Sequence, residues 1–347
     1  MRSAQAAGEK APTPPSLAIV GCGAIASSFH LPALLRHAGL RERLIFVDPD
    51  ATRAQALAAK AGGGRTATRV EEVIGAVQGA IIATPHNLHA ELAASFARAG
   101  VHVLCEKPVA ASGRELDDVI AAAATGGVHV AVNNNRRLYP SFRRVRDLLT
   151  EGAVGQVREI RLTLGEKFDW PAASGFYFGR NSGGHGVVAD TGAHVLDLLC
   201  WWLGGEPELL ECRDDSFGGS EAEATIHCRR DGIEAHVHLS WLSKLENRYA
   251  IVGSRGSISG EMYDWRTITR TGSDNVAHAV KCAKGGATLD EVGYDLVDSF
   301  VAAAGGGPAP LVTVQDVAPS VRMTEKYYAS RTAGHLPWHE AGMEVVR

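Results

Sequence analysis

The sequence predicts an α/β chain in two parts: a doubly wound parallel sheet, then an α/β region with a mostly antiparallel sheet. Three observations carry this. Up to about residue 132, short unbroken apolar runs alternate with helical patterns, as in a parallel sheet covered on both faces. A glycine-rich turn, Gly21-Cys22-Gly23-Ala24-Ile25-Ala26, closes the first run and opens the first helix. Beyond about residue 154, several runs alternate apolar with polar residues, as strands do when one face is wet.

Taken in order, Leu17–Val20 is the first run, and a helix-compatible stretch follows from Ala26 to about His37. Leu44–Val47 ends at Asp48, ahead of an Ala-rich helical pattern over Ala51–Ala61. Ala80–Ala83, Val101–Leu104 and Val128–Val132 are further runs, with helical segments at His89–Arg98 and Gly113–Ala124 between them. Right-handed crossovers between such strands build the doubly wound fold. After the change of pattern come Val157–Leu164, Thr225–Arg229, Glu234–Ser240, Tyr249–Val252 and Ser257–Glu261, with a hairpin-like turn at Gly253-Ser254-Arg255-Gly256. Val188–Leu203 reads as a strongly apolar helix, and Asp290–Ala304 and Thr313–Ser330 as late helices packing back onto the first part.

Composition narrows the function classes. The chain has 347 residues, long enough that two domains are the prior, and 45% hydrophobic residues, enough for a sizeable core. A formal net charge of -4 offers no basic footprint for a nucleic-acid partner. No apolar run is long enough to span a membrane. Residues 1–15 are small, polar and Pro-rich, without the apolar stretch of a signal peptide, and read as a loose tail. Six cysteines without a C-x-x-C pair read as reduced thiols, so the expected location is cytoplasmic.

The glycine turn points to a dinucleotide. Gly21 suits the tight turn, Gly23 lets the backbone approach a pyrophosphate, and Ala26 is small enough for close helix–strand packing. The N–H groups at the helix start, around Ala24 and Ile25, would face the phosphates. Asp48 ends the next strand, where an acid accepts hydrogen bonds from the adenosine ribose. It would repel a 2′-phosphate, and Pro49 and Asp50 rather than an arginine follow it, so NAD is expected over NADP. The competing reading of Asp48 is an N-cap for the helix from Ala51.

Several motifs then match in order: Gly21 to Ala26, Ala83-Thr84-Pro85-His86-Asn87-Leu88-His89, Glu106-Lys107-Pro108, Asn135-Arg136-Arg137, and the stretch from Gly184 through Asp190 and His194 to Asp197. On these the chain resembles the glucose–fructose oxidoreductase, inositol dehydrogenase and rhizopine-catabolism (Gfo/Idh/MocA) family, over roughly residues 16–330. The resemblance implies an NAD-binding Rossmann domain over 16–134. It also implies a substrate-binding and oligomerisation domain over 135–347, with a large open sheet that forms a homodimer or homotetramer interface. It makes Lys107 the catalytic lysine, aimed inward by a cis bond before Pro108, with a lowered pKa beside a nicotinamide cation. It makes His194 the acid/base and Asp190 a group that binds and orients the substrate.

Other positions follow from placement. Thr84, Pro85, His86, Glu106 and Asn135 lie at strand ends beside the expected cofactor, while His89 reads as capping or packing a helix start. On a helix over 188–203, Asp190 and His194 share a face; a plain surface pair and a metal pair are the bland alternatives, and no Cys/His set has zinc spacing. Further substrate contacts are expected at Arg136 of the Asn135-Arg136-Arg137 motif, at Asp169, Trp170 and Tyr177 of an aromatic, charged stretch, and at His185, in a loop where the family usually has glycine. That stretch also reads as a strand and loop covering the core.

The expected activity is hydride transfer between NAD and a secondary alcohol or ketone of a sugar, amino sugar or cyclitol. The acids Glu166, Asp169, Asp190, Asp214 and Asp215 would tolerate a cationic amino sugar, such as an aminoglycoside-type intermediate. Two rivals come from the same resemblance. One is a glycosidase that oxidises its substrate transiently, and NADH accumulation separates it from a dehydrogenase. The other is a non-catalytic, NAD-sensing regulator, a class that tends to lose the lysine and histidine present here.

Overall fold

The computed structural model describes residues 14–169, 186–216, 219–283 and 288–333. Strands β1 (Leu17–Val20), β2 (Leu44–Val47), β3 (Arg65–Ala67), β4 (Gly79–Ile82), β5 (His102–Cys105) and β6 (Val130–Val132) form one parallel sheet. Its order is β3-β2-β1-β4-β5-β6, so the direction of winding reverses between β1 and β4. Ligand crevices form beyond the strand ends at such a switch. The strands β1, β2 and β4 are buried along their whole length, which is why they read as unbroken apolar runs.

Helices α1 (Leu31–Leu34), α2 (Ala51–Ala61), α3 (His89–Arg98) and α4 (Gly113–Gly126) cover this sheet. The first departs from the expected Ala26–His37 helix. Residues Ala26–His30 form a wider π turn, with Leu31 N–H closing on Ala26 O, and α1 ends at Leu34. Pro32 has no N–H to give to the preceding turn, so the ladder cannot run evenly through it. The three-residue β3 carries no apolar run and was not anticipated; only Ala67 of it is buried.

The second half begins with α5 (Pro140–Thr150), which has proline in its first turn, where the missing N–H costs nothing. Next come β7 (Val157–Gly165), α6 (Thr191–Leu203), β8 (Glu208–Asp214), β9 (Glu223–Arg230) and β10 (Ile233–Ser240). Strands β11 (Arg248–Gly253), β12 (Gly256–Glu261), β13 (Thr267–Thr271) and β14 (Ala277–Lys281) follow, then α7 (Leu289–Ala304), α8 (Val314–Ser330) and β15 (Thr332–Ala333). These strands make a nine-stranded sheet in the order β14-β13-β12-β11-β7-β10-β9-β8-β15. It is mostly antiparallel, with β7–β10 and β15–β8 the parallel pairs. The Gly253–Gly256 turn closes the β11–β12 hairpin as expected. Strands β8, β13 and β14 went unread because they lie toward the sheet edges; β14 buries no side chain and so shows no apolar signal.

One apolar core fills the first sheet and takes in Leu296, Phe300 and Val317 from α7 and α8. A second lies between the nine-stranded sheet and α5 and α6, and takes Met323 and Tyr327 from α8. Helix α8 thus packs into both. No helix among the described residues is long and apolar enough to cross a membrane.

The expected helix over Val188–Leu203 is shortened at its start, which corrects the placement of Asp190. The chain turns through Val187–Asp190, and Asp190 holds the position just before the helix, without a side-chain capping bond, instead of lying on it. The N–H groups of this turn are held by partners outside the helix. Val187 N–H donates to Glu221 O at 2.8 Å, Val188 N–H to Glu221 Oε1 at 3.0 Å, and Ala189 N–H to Tyr328 Oη at 3.2 Å.

Candidate active site

A cleft of about 720 Å³ runs over the carboxyl ends of β1, β2, β4 and β5 and reaches the nine-stranded sheet. At its base is the turn after β1. Gly21 has φ +90°, and a Cβ there would lie 2.6 Å from Ala83 O, so only glycine fits. A Cβ on Gly23 would meet nothing within 4 Å, so that backbone faces open space. Gly21, Gly23, Ala24 and Ile25 line the cleft, while Ala26 is fully buried against the sheet, as its small size requires.

Asp48 also lines the cleft. Its Oδ2 accepts from Cys22 N–H at 3.0 Å and its Oδ1 from Asp50 N–H at 2.9 Å, tying the end of β2 to the glycine turn. It does not cap α2; Asp50 does, accepting from Thr52 N–H at 2.9 Å. Thr84, Pro85, His86 and Asn135 line the cleft as expected. Thr84 Oγ1 and Asn133 Oδ1, beside this space, are buried polar atoms without a hydrogen-bond partner among the described residues. Open backbone at Gly23, an acid at the end of β2 and unspent polar atoms further along suit an extended dinucleotide.

The loop after β5 carries the charged groups. The Lys107–Pro108 peptide is cis. Glu106 is buried, and its Oε1 lies 2.7 Å from His30 Nε2 and accepts from Asn133 Nδ2 at 2.7 Å. Burial opposes its ionisation, but His30, Asn133 and the charge of Lys107 outweigh burial and hold its pKa below the ordinary carboxylate value. Lys107 Nζ reaches across to the turn before α6, donating to Asp190 Oδ1 at 2.6 Å and Asp190 O at 3.0 Å. His89 does pack rather than face solvent. It is buried, with Nδ1 2.8 Å from Pro108 O and Nε2 2.8 Å from Thr84 O, linking two loops of the cleft. Burial pushes its pKa down, against the pull of those two carbonyls and Glu106.

His194, in the first turn of α6, lines the same part of the cleft. Desolvation, then the charges of Lys107 and Arg136, push its pKa well below the ordinary imidazole value of 6.5. The ring is therefore neutral near pH 7 and able to accept a proton. Its buried Nδ1 has no hydrogen-bond partner among the described residues. Behind it, Arg137 Nε and Nη2 donate to Asp197 at 2.7 Å each, anchoring α6 to the turn after β6.

Arg136, Asp169 and Asp190 do reach the cleft, whereas Trp170, Tyr177 and His185 lie outside the described residues. Two expected acids do not reach it. Asp214 is buried under α8, accepting from Tyr327 Oη at 2.8 Å and Arg331 Nη1 at 3.2 Å. Asp215 accepts the N–H groups of Ala222 and Glu223. Both are spent on the fold. In their place the nine-stranded sheet brings Phe168, Trp241 and Tyr263 to the cleft, with Phe168 and Trp241 packed edge to face at 4.9 Å. The aromatic stretch around 168 hinted at the first; Trp241 and Tyr263 follow strands whose pairing alone brings them there. No group of three or more potential metal ligands occurs among the described residues.

Comparison with known proteins agrees with this architecture. Residues 16–134 match a family model described as an oxidoreductase family with an NAD-binding Rossmann fold, and residues 142–259 match the Gfo/Idh/MocA C-terminal domain. A 1,5-anhydro-D-fructose reductase of Ensifer adhaerens is 29% identical over 70% of this chain and 74% of its own. A 3-ketoreductase of Actinomadura kijaniata, solved with NADP and TDP-benzene, superposes with a TM-score of 0.79 at 20% identity over 93% of this chain and all of its own. An oxidoreductase of Agrobacterium radiobacter, solved with NAD+, L-tartaric acid and magnesium, gives 0.78 at 20% identity over 92% and 96%. The parallel sheet falls within the first match and much of the antiparallel one within the second, and the chain belongs to the Gfo/Idh/MocA oxidoreductase family.

Proposed function

We propose that this protein is an NAD-dependent dehydrogenase, or ketoreductase in the reverse direction, acting on a secondary alcohol of a sugar-like or cyclitol-like substrate. The observation that carries the reading is the Lys107–Asp190 contact of 2.6 Å beside a neutral His194, over the strand ends where a dinucleotide fits. A bound nicotinamide supplies the hydride acceptor. His194 takes the hydroxyl proton as the C–H electron pair leaves with hydride and the carbon becomes a carbonyl. Lys107 donates a hydrogen bond to the reacting oxygen, and Asp190 holds Lys107 and meets a neighbouring hydroxyl. Holding both reactants in one cleft supplies much of the rate.

Asp48 supports NAD over NADP, since a carboxylate at the end of β2, lining the cleft, would repel a 2′-phosphate. The 1,5-anhydro-D-fructose reductase among the relatives supports a sugar-like substrate. Self-association through the exposed side of the nine-stranded sheet belongs to the same reading; light scattering on the purified protein tests it. Purified protein with NAD and a panel of sugars, cyclitols and sugar acids tests the reaction. Absorbance of reduced nicotinamide should rise with one substrate class, and should fail to rise in Lys107→Ala and His194→Ala variants that still bind NAD. Full turnover in both variants would refute the assignment.

A further inference from the structure

Two adjacent arginines follow β6 and behave differently. Arg137 is buried and fully engaged, with Asp197 and with Asp316 O at 2.7 Å. Arg136 lines the cleft, and its buried Nη1 has no hydrogen-bond partner among the described residues. Its guanidinium carbon lies over the Tyr263 ring, 5.6 Å from the centroid. A guanidinium held by its face keeps its edge donors free in one plane. A buried donor left unpaired is costly, and native proteins seldom leave one without a purpose.

The other inner charges near it are matched. Lys107 is matched by Asp190, and Glu106 by His30 and Asn133. Glu166, Lys167 and Asp169 sit at the exposed rim, where solvent screens them, and Glu166 already accepts from Asn247 Nδ2 at 2.6 Å. Arg136 is thus the inner charge with no matching carboxylate among the described residues. It lies close enough to His194 to help depress that ring's pKa.

Building on the dehydrogenase reading, we propose that Arg136 is a specificity-determining residue that seats a carboxylate of the substrate, which makes the substrate class an acidic sugar rather than a neutral or cationic one. One guanidinium fork matches the two oxygens and single charge of a carboxylate, whereas a phosphate monoester brings close to two charges. Seated there, the carboxylate matches the unpaired charge and offsets the positive field at His194, so the base accepts its proton more readily when substrate is bound. The acid also sets which carbon faces the nicotinamide, by fixing one end of the substrate.

The test is binding to the NAD-saturated enzyme, read by calorimetry and thermal shift. D-glucuronate and D-gluconate are compared with D-glucose, myo-inositol and glucose 6-phosphate. Carboxylates should bind at least about 30-fold more tightly than neutral sugars, in line with a charged hydrogen-bonded pair. Arg136→Gln should erase that preference while its NAD affinity stays at the wild-type value, and Arg136→Lys should restore part of it. Neutral sugars binding as well as carboxylates, a preference that survives Arg136→Gln, tighter binding of the phosphate, or no carboxylate binding at tens of millimolar would each overturn the proposal. Carboxylate binding without NADH formation would sink the dehydrogenase reading and leave this one standing. Turnover of neutral sugars unaffected by Arg136→Gln would do the reverse.

Discussion

Arg137 and Asp197 meet in a buried two-pronged ion pair, with both hydrogen bonds at 2.7 Å, and so join the turn after the sixth strand to the helix that carries His194. Ser320 Oγ also donates to this carboxylate, at 3.2 Å. Removing one partner strands the other charge in a dry interior. Asp197→Ala is expected to cost about 3–5 kcal/mol of stability, measured by chemical denaturation. A loss under about 1 kcal/mol would mean that water reaches the guanidinium and the pair behaves like a surface one.

The roles given to Lys107 and His194 predict distinct kinetics from that structural pair. Lys107→Ala and His194→Ala should each lower kcat by about 10²- to 10⁴-fold, the usual contribution of a proton-transfer group. NAD binding, followed by fluorescence quenching, should change little. Asp190→Asn removes the negative partner of Lys107 and should raise KM as well as lower kcat. Equal NAD affinity with unchanged turnover in the histidine variant would move the base elsewhere.

Acidity should act through His194. Its folded pKa lies below 6.5, so kcat/KM for alcohol oxidation should rise with pH through one ionisation below 6.5 and then level off. The same shift bears on stability. The unfolded chain binds this proton more readily, so stability is complete above 6.5 and is lost as pH falls through the folded value. A pH–rate profile that rises only in alkaline solution would exclude His194 as the base.

Cofactor choice should follow Asp48. Asp48→Asn keeps an oxygen for Cys22 N–H but turns its NH2 toward Asp50 N–H and removes the charge, and should weaken NAD binding at least about tenfold, as for one charged hydrogen bond. NADP binding should weaken less or improve. Parallel titrations of both cofactors decide this, and equal losses for the two would show that Asp48 only braces the glycine turn.

Much of the cofactor side was legible in the chain. Each group there sits at or just after the end of a buried strand, and buried strands leave unbroken apolar runs, so Asp48, Thr84 and Lys107 could be placed by counting from them. The substrate side was less legible. Trp241 and Tyr263 enter the cleft because β10 and β12 join one sheet, and local pattern does not state which strands pair. Asp214 and Asp215 looked like site acids because charge does not say which way a side chain points; they serve Arg331, Tyr327 and two backbone N–H groups instead.

By itself, then, the sequence determined the parallel sheet, the glycine turn and the identity of the groups at its strand ends, since these depend on short-range periodicity and on a turn that only Gly21 can make. Tertiary structure decided which charges are spent and which stay available. Arg136 and Arg137 are neighbours of the same type, yet Arg137 is matched by a carboxylate sixty residues away and Arg136 by none among the described residues. Such pairing is a property of distance in space, and in a low-dielectric interior a few ångströms separate a structural charge from one open to a ligand.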